Sequence, residues 1–213
     1  MKKLITLFAV LALAAPAAFA NSITVVGPGQ GLGGTDYSLE VVADSGSDRA
    51  YVETSAPAEE TVFRTQFRIR IDSSLNLDVG KVLDISVLFG TNVPARNAKF
   101  SIQKLANGNY RLWAFAANND TGKLFPYVVF NVAVDVDTLV DFEWQEATAA
   151  DNDGIVRLIK NGGATSERTD VPSNGQNIDR VRFGAPVGTV ATGAAGGTYR
   201  IDEVTMFRTL GSS

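Results

Sequence analysis

The chain has 213 residues, 20 of them glycine, and contains neither cysteine nor histidine. This composition excludes disulfides, the common zinc sites and the catalytic triads that depend on histidine or cysteine. The formal net charge of −4 argues against general binding to nucleic acids, and the length is enough for one domain with a sizeable core.

The first 20 residues have the layout of a secretory signal peptide. Lys2-Lys3 precedes an apolar run, Leu4–Ala15, and Ala18–Ala20 is a small-x-small end. We therefore expect cleavage near Ala20, a single domain over residues 21–213 and a secreted or periplasmic protein. Loss of the two lysines leaves 17 Lys+Arg against 23 Asp+Glu, a formal charge of −6. No later segment approaches the roughly 20 apolar residues of a membrane span.

Strand-like runs follow one another from residue 38 onward, and no long amphipathic helix interrupts them. Asn107-Gly108 predicts a hairpin with a type I′ turn, and Asn161-Gly162-Gly163 predicts a second turn. Many short strands and many glycines favour an all-β, two-sheet antiparallel β-sandwich of the jelly-roll kind over any βαβ fold. The predicted strands are Ser38–Ala43, Ala50–Glu53, Thr61–Asp72, Val82–Phe89, Ala98–Leu105, Asn109–Ala116, Tyr127–Val134, Leu139–Gln145, Gly154–Lys160, Asp179–Phe183 and Thr198–Phe207.

The clearest strand is Thr61–Asp72, in which polar and apolar residues alternate. Its polar side is here named the basic stripe. Two interpretations stay open: the arginines pair with carboxylates on a neighbouring strand, or they form a groove for anionic saccharides. The basic stripe consists of Arg64, Gln66, Arg68 and Arg70, and the expected core residues are Phe63, Phe67, Ile69, Ile71, Phe142 and Trp144.

Several acidic residues are candidates for a carboxylate site. Alternation places Asp141 and Glu143 side by side on one face of a strand. This indicates either a solvent-exposed acidic face over an aromatic core or the catalytic carboxylate pair of a glycosidase. Asp151 and Asp153 resemble the start of a calcium loop that lacks its terminal glutamate. Alternation breaks at Asp202, which predicts a bulge where that carboxylate pairs with an arginine or ligates an ion. No cofactor is expected, and a structural calcium ion stays open.

The glycine-rich segments Gly27–Gly34 and Gly188–Gly197 are interpreted as loops. Neither opens a helix and neither contains Gly-Lys-Ser/Thr, so the sequence does not support a phosphate cradle in either.

The order of several segments resembles bacterial concanavalin A-like, laminin-G-like jelly-roll proteins. Ala50–Glu53 and Val62–Ile69 look like the opening of those proteins, while Leu139–Trp144, Arg180–Gly184 and Gly197–Val204 look like their later strands. The resemblance implies a jelly-roll fold. The same superfamily contains glucanases whose catalytic strand carries a Glu-x-Asp-x-(x)-Glu motif. In this chain the matching position is Ala98–Gln103, which contains no carboxylate, so the resemblance argues against an enzyme of that type.

The sequence and the resemblance lead to an expected function and a candidate site. We expect a non-catalytic module that binds extracellular or cell-surface polysaccharide, anionic polymers included; the alternatives are a structural or assembly protein of the cell surface and a polysaccharide-cleaving enzyme. The related glucanases imply that a neighbouring strand projects its side chains onto the surface of the basic stripe, and an aromatic side chain is expected to stack on sugar rings. The oligomeric state stays open. The residues added to the basic stripe as a ligand site are Lys99, Ser101, Gln103 and Trp113.

Overall fold

A computed structural model describes residues 21–44, 49–90, 96–119, 123–148, 152–186 and 196–207, apart from the side chains of residues 56–59 and 123. The predicted signal peptide, Asp151 and most of the second glycine-rich segment lie outside the described residues. The described part of the chain forms β-strands and contains no helix, so no helix in it could cross a membrane.

The strands form two antiparallel sheets, which confirms the predicted two-sheet β-sandwich. The seven-stranded sheet has the order β1-β2-β13-β4-β9-β10-β11, and the six-stranded sheet has the order β3-β12-β5-β6-β7-β8. The strands are β1 (Ser22–Val26), β2 (Ser38–Ala43), β3 (Ala50–Glu60), β4 (Val62–Ile71), β5 (Val82–Phe89), β6 (Arg96–Lys104), β7 (Tyr110–Asn118), β8 (Lys123–Val132), β9 (Thr138–Gln145), β10 (Gly154–Lys160), β11 (Ala164–Val171), β12 (Ile178–Ala185) and β13 (Gly197–Phe207).

The core lies between the two sheets and is built from the apolar sides of alternating strands. Along β4 every second residue is buried, and all six predicted core residues are at most 2% exposed. The ring of Phe67 meets Phe100 edge to face at 5.4 Å and Phe183 at 5.3 Å, while Phe100 meets Phe142 at 4.7 Å. Such edge-to-face pairs add to the free energy of burial and fix the distance between the sheets.

Of the two predicted turns, the first differs in conformation from the prediction and the second is present. Asn107-Gly108 does lie in the β6–β7 hairpin, but only Gly108 has a positive φ, and Leu105 N donates to Asn109 O across a three-residue loop. The predicted type I′ turn is therefore wrong there, because it needs positive φ at both central residues. The turn between β10 and β11 has that property, with φ of 51° at Asn161 and 69° at Gly162.

Replacing Phe67 with alanine tests the packing of the two sheets. Because the ring is fully buried between Phe100 and Phe183, Phe67→Ala should lower the free energy of unfolding by about 3–5 kcal/mol. Denaturant unfolding followed by tryptophan fluorescence measures the change. A loss below about 1 kcal/mol would contradict the packing.

Candidate functional site

The basic stripe is covered by carboxylates of neighbouring strands. Arg64 Nε donates to Asp141 Oδ1 at 2.8 Å, and Arg68 forms an ion pair with Glu203. Arg70 Nε lies 2.6 Å from Asp137 Oδ1. The hydrogen bond to Asp141 raises the pKa of the Arg64 guanidinium, which keeps this pair charged. Of the two interpretations of the stripe, the structure shows the cross-strand pairing.

The two acidic residues of β9 belong to the same network and are buried. Asp141 is 6% exposed and Glu143 is 1% exposed. Glu143 lies between two guanidinium groups, since its Oε2 accepts from Arg157 at 2.5 Å and its Oε1 lies 3.6 Å from Arg64. Arg157 continues the chain of ion pairs to Glu167 on β11. A carboxylate held in this way stabilises a sheet face and has no open side for a substrate.

The predicted ligand set does not share one surface, which corrects the expectation from the glucanases. β4 is in the seven-stranded sheet, and β6 is in the six-stranded sheet. Lys99, Ser101 and Gln103 therefore face away from the basic stripe, with the whole core between them. Trp113 lies on β7 beside Ser101, so it belongs with the β6 group.

The two candidate metal ligands that the structure describes, Asp153 and Asp202, accept hydrogen bonds from the protein itself. Among the described residues no three acidic side chains come together as a metal site. Asp153 accepts from Thr148 N at 2.6 Å, and that hydrogen bond lowers the pKa of the exposed carboxyl group. Asp202 lies at the predicted bulge in β13 and accepts from the Leu32 backbone N at 2.9 Å.

The first glycine-rich segment presents its backbone N–H groups to carboxylates of this chain. Leu32 N donates to Asp202, and Gly33 N donates to Asp137 Oδ2 at 3.1 Å. A Cβ on Gly33, which has a φ of +65°, would lie 2.0 Å from the Arg68 Nε atom. The segment is therefore a loop packed on the seven-stranded sheet, in agreement with its interpretation from the sequence.

The outer face of the six-stranded sheet is cationic and aromatic. Arg182 on β12, Val87 on β5 and Lys99 on β6 are direct partners in one row across three adjacent strands. The Arg182 guanidinium carbon lies 4.3 Å from the ring centroid of Tyr51 and 4.8 Å from that of Phe89. This surface, made by the outward side chains of β3, β12, β5, β6 and β7, is called the cationic face below.

Few carboxylates neutralise the guanidinium groups at one end of the cationic face. Arg182 Nε donates to Glu53 Oε2 at 2.5 Å, and Arg180 Nη1 lies 3.9 Å from the same oxygen. Two guanidinium groups thus share Glu53, and Arg180 also lies over Phe89 at 5.0 Å. The pair keeps donors for an additional anion, because one carboxylate cannot occupy both guanidinium forks.

Lys99 is fixed at the centre of the cationic face. Its Nζ lies 2.8 Å from Asp84 Oδ1 and 4.5 Å from the ring centroid of Phe115. Ser101 Oγ donates to the same Asp84 oxygen at 2.5 Å. The Lys99 side chain is 16% exposed, so it is largely enclosed by the protein without being fully buried. Val87 is fully buried between Lys99 and Arg182.

The two arginines of β12 could have been found from the sequence. In the segment Asp179–Phe183 the alternation of Arg180 and Arg182 with Val181 and Phe183 is the same signal that identified the basic stripe. The segment is short, and alternation does not tell which sheet a strand joins. Tyr51 gives no such signal, because its role comes from the pairing of β3 with β12.

Known proteins resemble this chain in fold and not in sequence. No family model matches it, and no curated protein sequence matches it either. Among solved structures, an endo-β-1,4-glucuronan lyase from the fungus Trichoderma reesei has a TM-score of 0.62 at 13% identity, over 87% of this chain and 86% of that one.

Two further matches are alginate lyases. A variant of alginate lyase Aly36B in complex with alginate trisaccharide has a TM-score of 0.56 at 14% identity, over 79% of this chain and 80% of that one. The marine PL-14 alginate lyase from Aplysia kurodai has a TM-score of 0.55 at 11% identity, over 87% and 86%. At these identities the likeness concerns the jelly-roll fold.

These matches correct the expectation of a non-catalytic binding module. The chain has the fold of enzymes that cleave polysaccharides by elimination. The argument against catalysis relied on a missing carboxylate pair, which hydrolytic glycosidases need. An elimination removes a proton from carbon and does not require that pair. The expectation that the protein is not an enzyme therefore considered hydrolysis only and left elimination out.

Replacing Arg64 with methionine tests the ion-pair network on the seven-stranded sheet. Because the change leaves the buried Asp141 without its guanidinium partner, Arg64→Met should lower the free energy of unfolding by about 1–3 kcal/mol. The matched control is Arg168→Met, since the Arg168–Asp170 pair is 50% and 63% exposed, and solvent screening should leave it with little effect on stability. Equal losses in urea unfolding would contradict the network.

Proposed function

We propose that the protein is a polysaccharide lyase that cleaves uronate polymers on its cationic face. The observation that carries the proposal is the row formed by Arg182, Val87 and Lys99. It brings a guanidinium group for a carboxylate and an amine for proton transfer onto one face of the sheet, with a single strand between them. The fold shared with glucuronan and alginate lyases supports the same reaction class.

The spacing of the row suits one sugar unit and its linkage. Neighbouring strands are about 4.8 Å apart, so the backbones at Arg182 and Lys99 are separated by roughly 10 Å. Both side chains are long and lie on the same face of the sheet as Val87. A uronate carboxylate held by the Arg182 and Arg180 forks therefore places the adjacent ring carbon near the Lys99 amine. Arginine suits this task because its planar fork matches a carboxylate in geometry.

The reaction is a β-elimination with Lys99 as the proton-transferring group. The uncharged amine takes the proton on C5 of the uronate, the electron pair forms the C4=C5 double bond, and the C4–O4 bond breaks. The leaving O4 then receives the proton from the amine. Arg182 assists because a neutralised carboxylate stabilises the negative charge that develops beside C5. Asp84 accepts a hydrogen bond from the Lys99 amine, and Ser101 holds Asp84 in place.

In this proposal the enzyme acts outside the cytoplasm, because residues 1–20 have the layout of a secretory signal peptide. The polymer would be an extracellular or cell-surface polysaccharide. The proposed steps use only side chains of this chain.

The role of Lys99 can be tested with an arginine that keeps the charge. Lys99→Arg should lose at least about 100-fold in kcat, because a guanidinium group cannot give up its proton. The assay follows the ultraviolet absorbance of unsaturated uronate formed from polyglucuronate and from alginate.

A matched control is Lys160→Arg, because Lys160 also lies over a phenylalanine ring, that of Phe130, but is on the seven-stranded sheet. This variant should cleave at the wild-type rate. Full activity in Lys99→Arg would show that the residue contributes charge and not proton transfer. Absence of unsaturated product from every uronate polymer tried with the wild type would overturn the proposed function.

A further inference from the structure

Arg111 is a cation on the cationic face that the proposed reaction does not use. It lies on β7 opposite Gln103 of β6, and its guanidinium carbon is 5.4 Å from the ring centroid of Trp113. Within the described part of the chain no carboxylate is in ion-pair distance of Arg111, whereas Arg180 and Arg182 on the same face share Glu53. Its charge is therefore available to a ligand.

A chain of hydrogen bonds fixes the ring under Arg111. The Trp113 indole Nε1 donates to Gln103 Oε1 at 3.3 Å, and Gln103 Nε2 donates to Gly80 O at 2.9 Å. Gly80 is itself tied to β6, because its N–H donates to Lys104 O at 2.9 Å. The indole ring also contacts Phe115, with ring centroids 6.3 Å apart. Trp113 is thus a rigid support, and a guanidinium group stacked on it loses little freedom when it binds an anion.

Arg111 is too far from the reactive row to touch the sugar that is cleaved. Lys99 is paired with Phe115, and Arg111 lies four residues along β7 from Phe115. With about 3.3 Å per residue and 4.8 Å between strands, the backbones at Lys99 and Arg111 are about 14 Å apart. A ligand that spans this backbone distance is an oligosaccharide, because the distance exceeds the length of a single pyranose ring.

We propose that Arg111 is a second anchor, which binds the carboxylate of a uronate remote from the cleaved linkage. Trp113 and Gln103 are positioning residues that hold the guanidinium group at the required distance. The inference rests on the proposed function for the identity of the ligand, a polymer with a carboxylate on successive sugars. It adds that the protein selects long uronate chains over short ones, and it names the residue that makes the selection.

The test measures binding as a function of chain length in the absence of turnover. Affinities of a Lys99→Ala protein for glucuronate oligomers, from dimers to octamers, are measured by calorimetry at low salt. Chains long enough to reach Arg111 should bind about tenfold more tightly than dimers, as expected for one charge-assisted contact. Adding Arg111→Ala should remove that gain and leave the dimer affinity unchanged.

Two further variants separate the anchor from general electrostatics and from stability. Trp113→Ala keeps the Arg111 charge but should lose most of the gain with length, because the guanidinium group is no longer positioned. Arg168→Ala removes the same charge from the seven-stranded sheet and should keep the whole gain. Melting temperatures of the variants establish that each is folded under the conditions of measurement.

The outcomes distinguish this inference from the proposed function. If the gain with length persists in Arg111→Ala, or is lost equally in Arg168→Ala, the anchor is overturned and the proposed cleavage stands. If the gain depends on Arg111 but the wild type forms no unsaturated product, the proposed cleavage is overturned and the anchor stands. Equal affinity of the Lys99→Ala protein for every chain length, or no binding at all, overturns the anchor.

Discussion

The contact of four phenylalanine rings between the sheets determines the rest of the molecule. Phe67 of β4 meets Phe100 of β6 and Phe183 of β12, and Phe100 also meets Phe142 of β9. Since side chains alternate along a strand, burial of these rings forces their neighbours in sequence outward. Every charged residue discussed above takes its position from that constraint. Each outer face is then a direct consequence of the core.

The two outer faces neutralise their charges in different ways. On the seven-stranded sheet, each arginine of the basic stripe has a carboxylate on a neighbouring strand, and Glu143 is shared by Arg64 and Arg157. On the cationic face, aromatic rings support several of the cations instead, as Trp113 supports Arg111. An aromatic ring fixes a guanidinium group without neutralising its charge. The second arrangement leaves positive charge on that face, as the proposed binding of an anionic polymer requires, even though the chain as a whole is acidic.

The elements that the sequence predicted are those with a buried face. β2, β5 and β10 have the predicted bounds, because their apolar residues alternate or form continuous buried runs. The two strands that were missed, β1 and β11, are the edges of the seven-stranded sheet, and most of their residues are exposed. An edge strand buries little surface, so its sequence needs no apolar period. The sequence also could not predict that β4 pairs with β9 and not with β6. Alternation is a local pattern, whereas the sheet that a strand joins depends on the whole topology.

The same distinction explains how much of the candidate site could be predicted. Alternation identified the outward-facing residues Lys99, Ser101, Gln103 and Trp113. The prediction then placed them on the same surface as the arginines of the basic stripe, which is wrong. The arginines of the proposed reaction, Arg180 and Arg182, lie about 80 residues further along the chain, on β12, and only the sheet order brings them onto the same surface. The prediction that the protein is not an enzyme failed for a related reason. It relied on the absence of two carboxylates, which hydrolysis of a glycosidic bond requires. In a uronate polymer the substrate brings its own carboxylate, and the protein must instead neutralise it and move a proton. A surface with guanidinium groups and a held amine, poor in carboxylates, suits that second task and would be unsuited to the first.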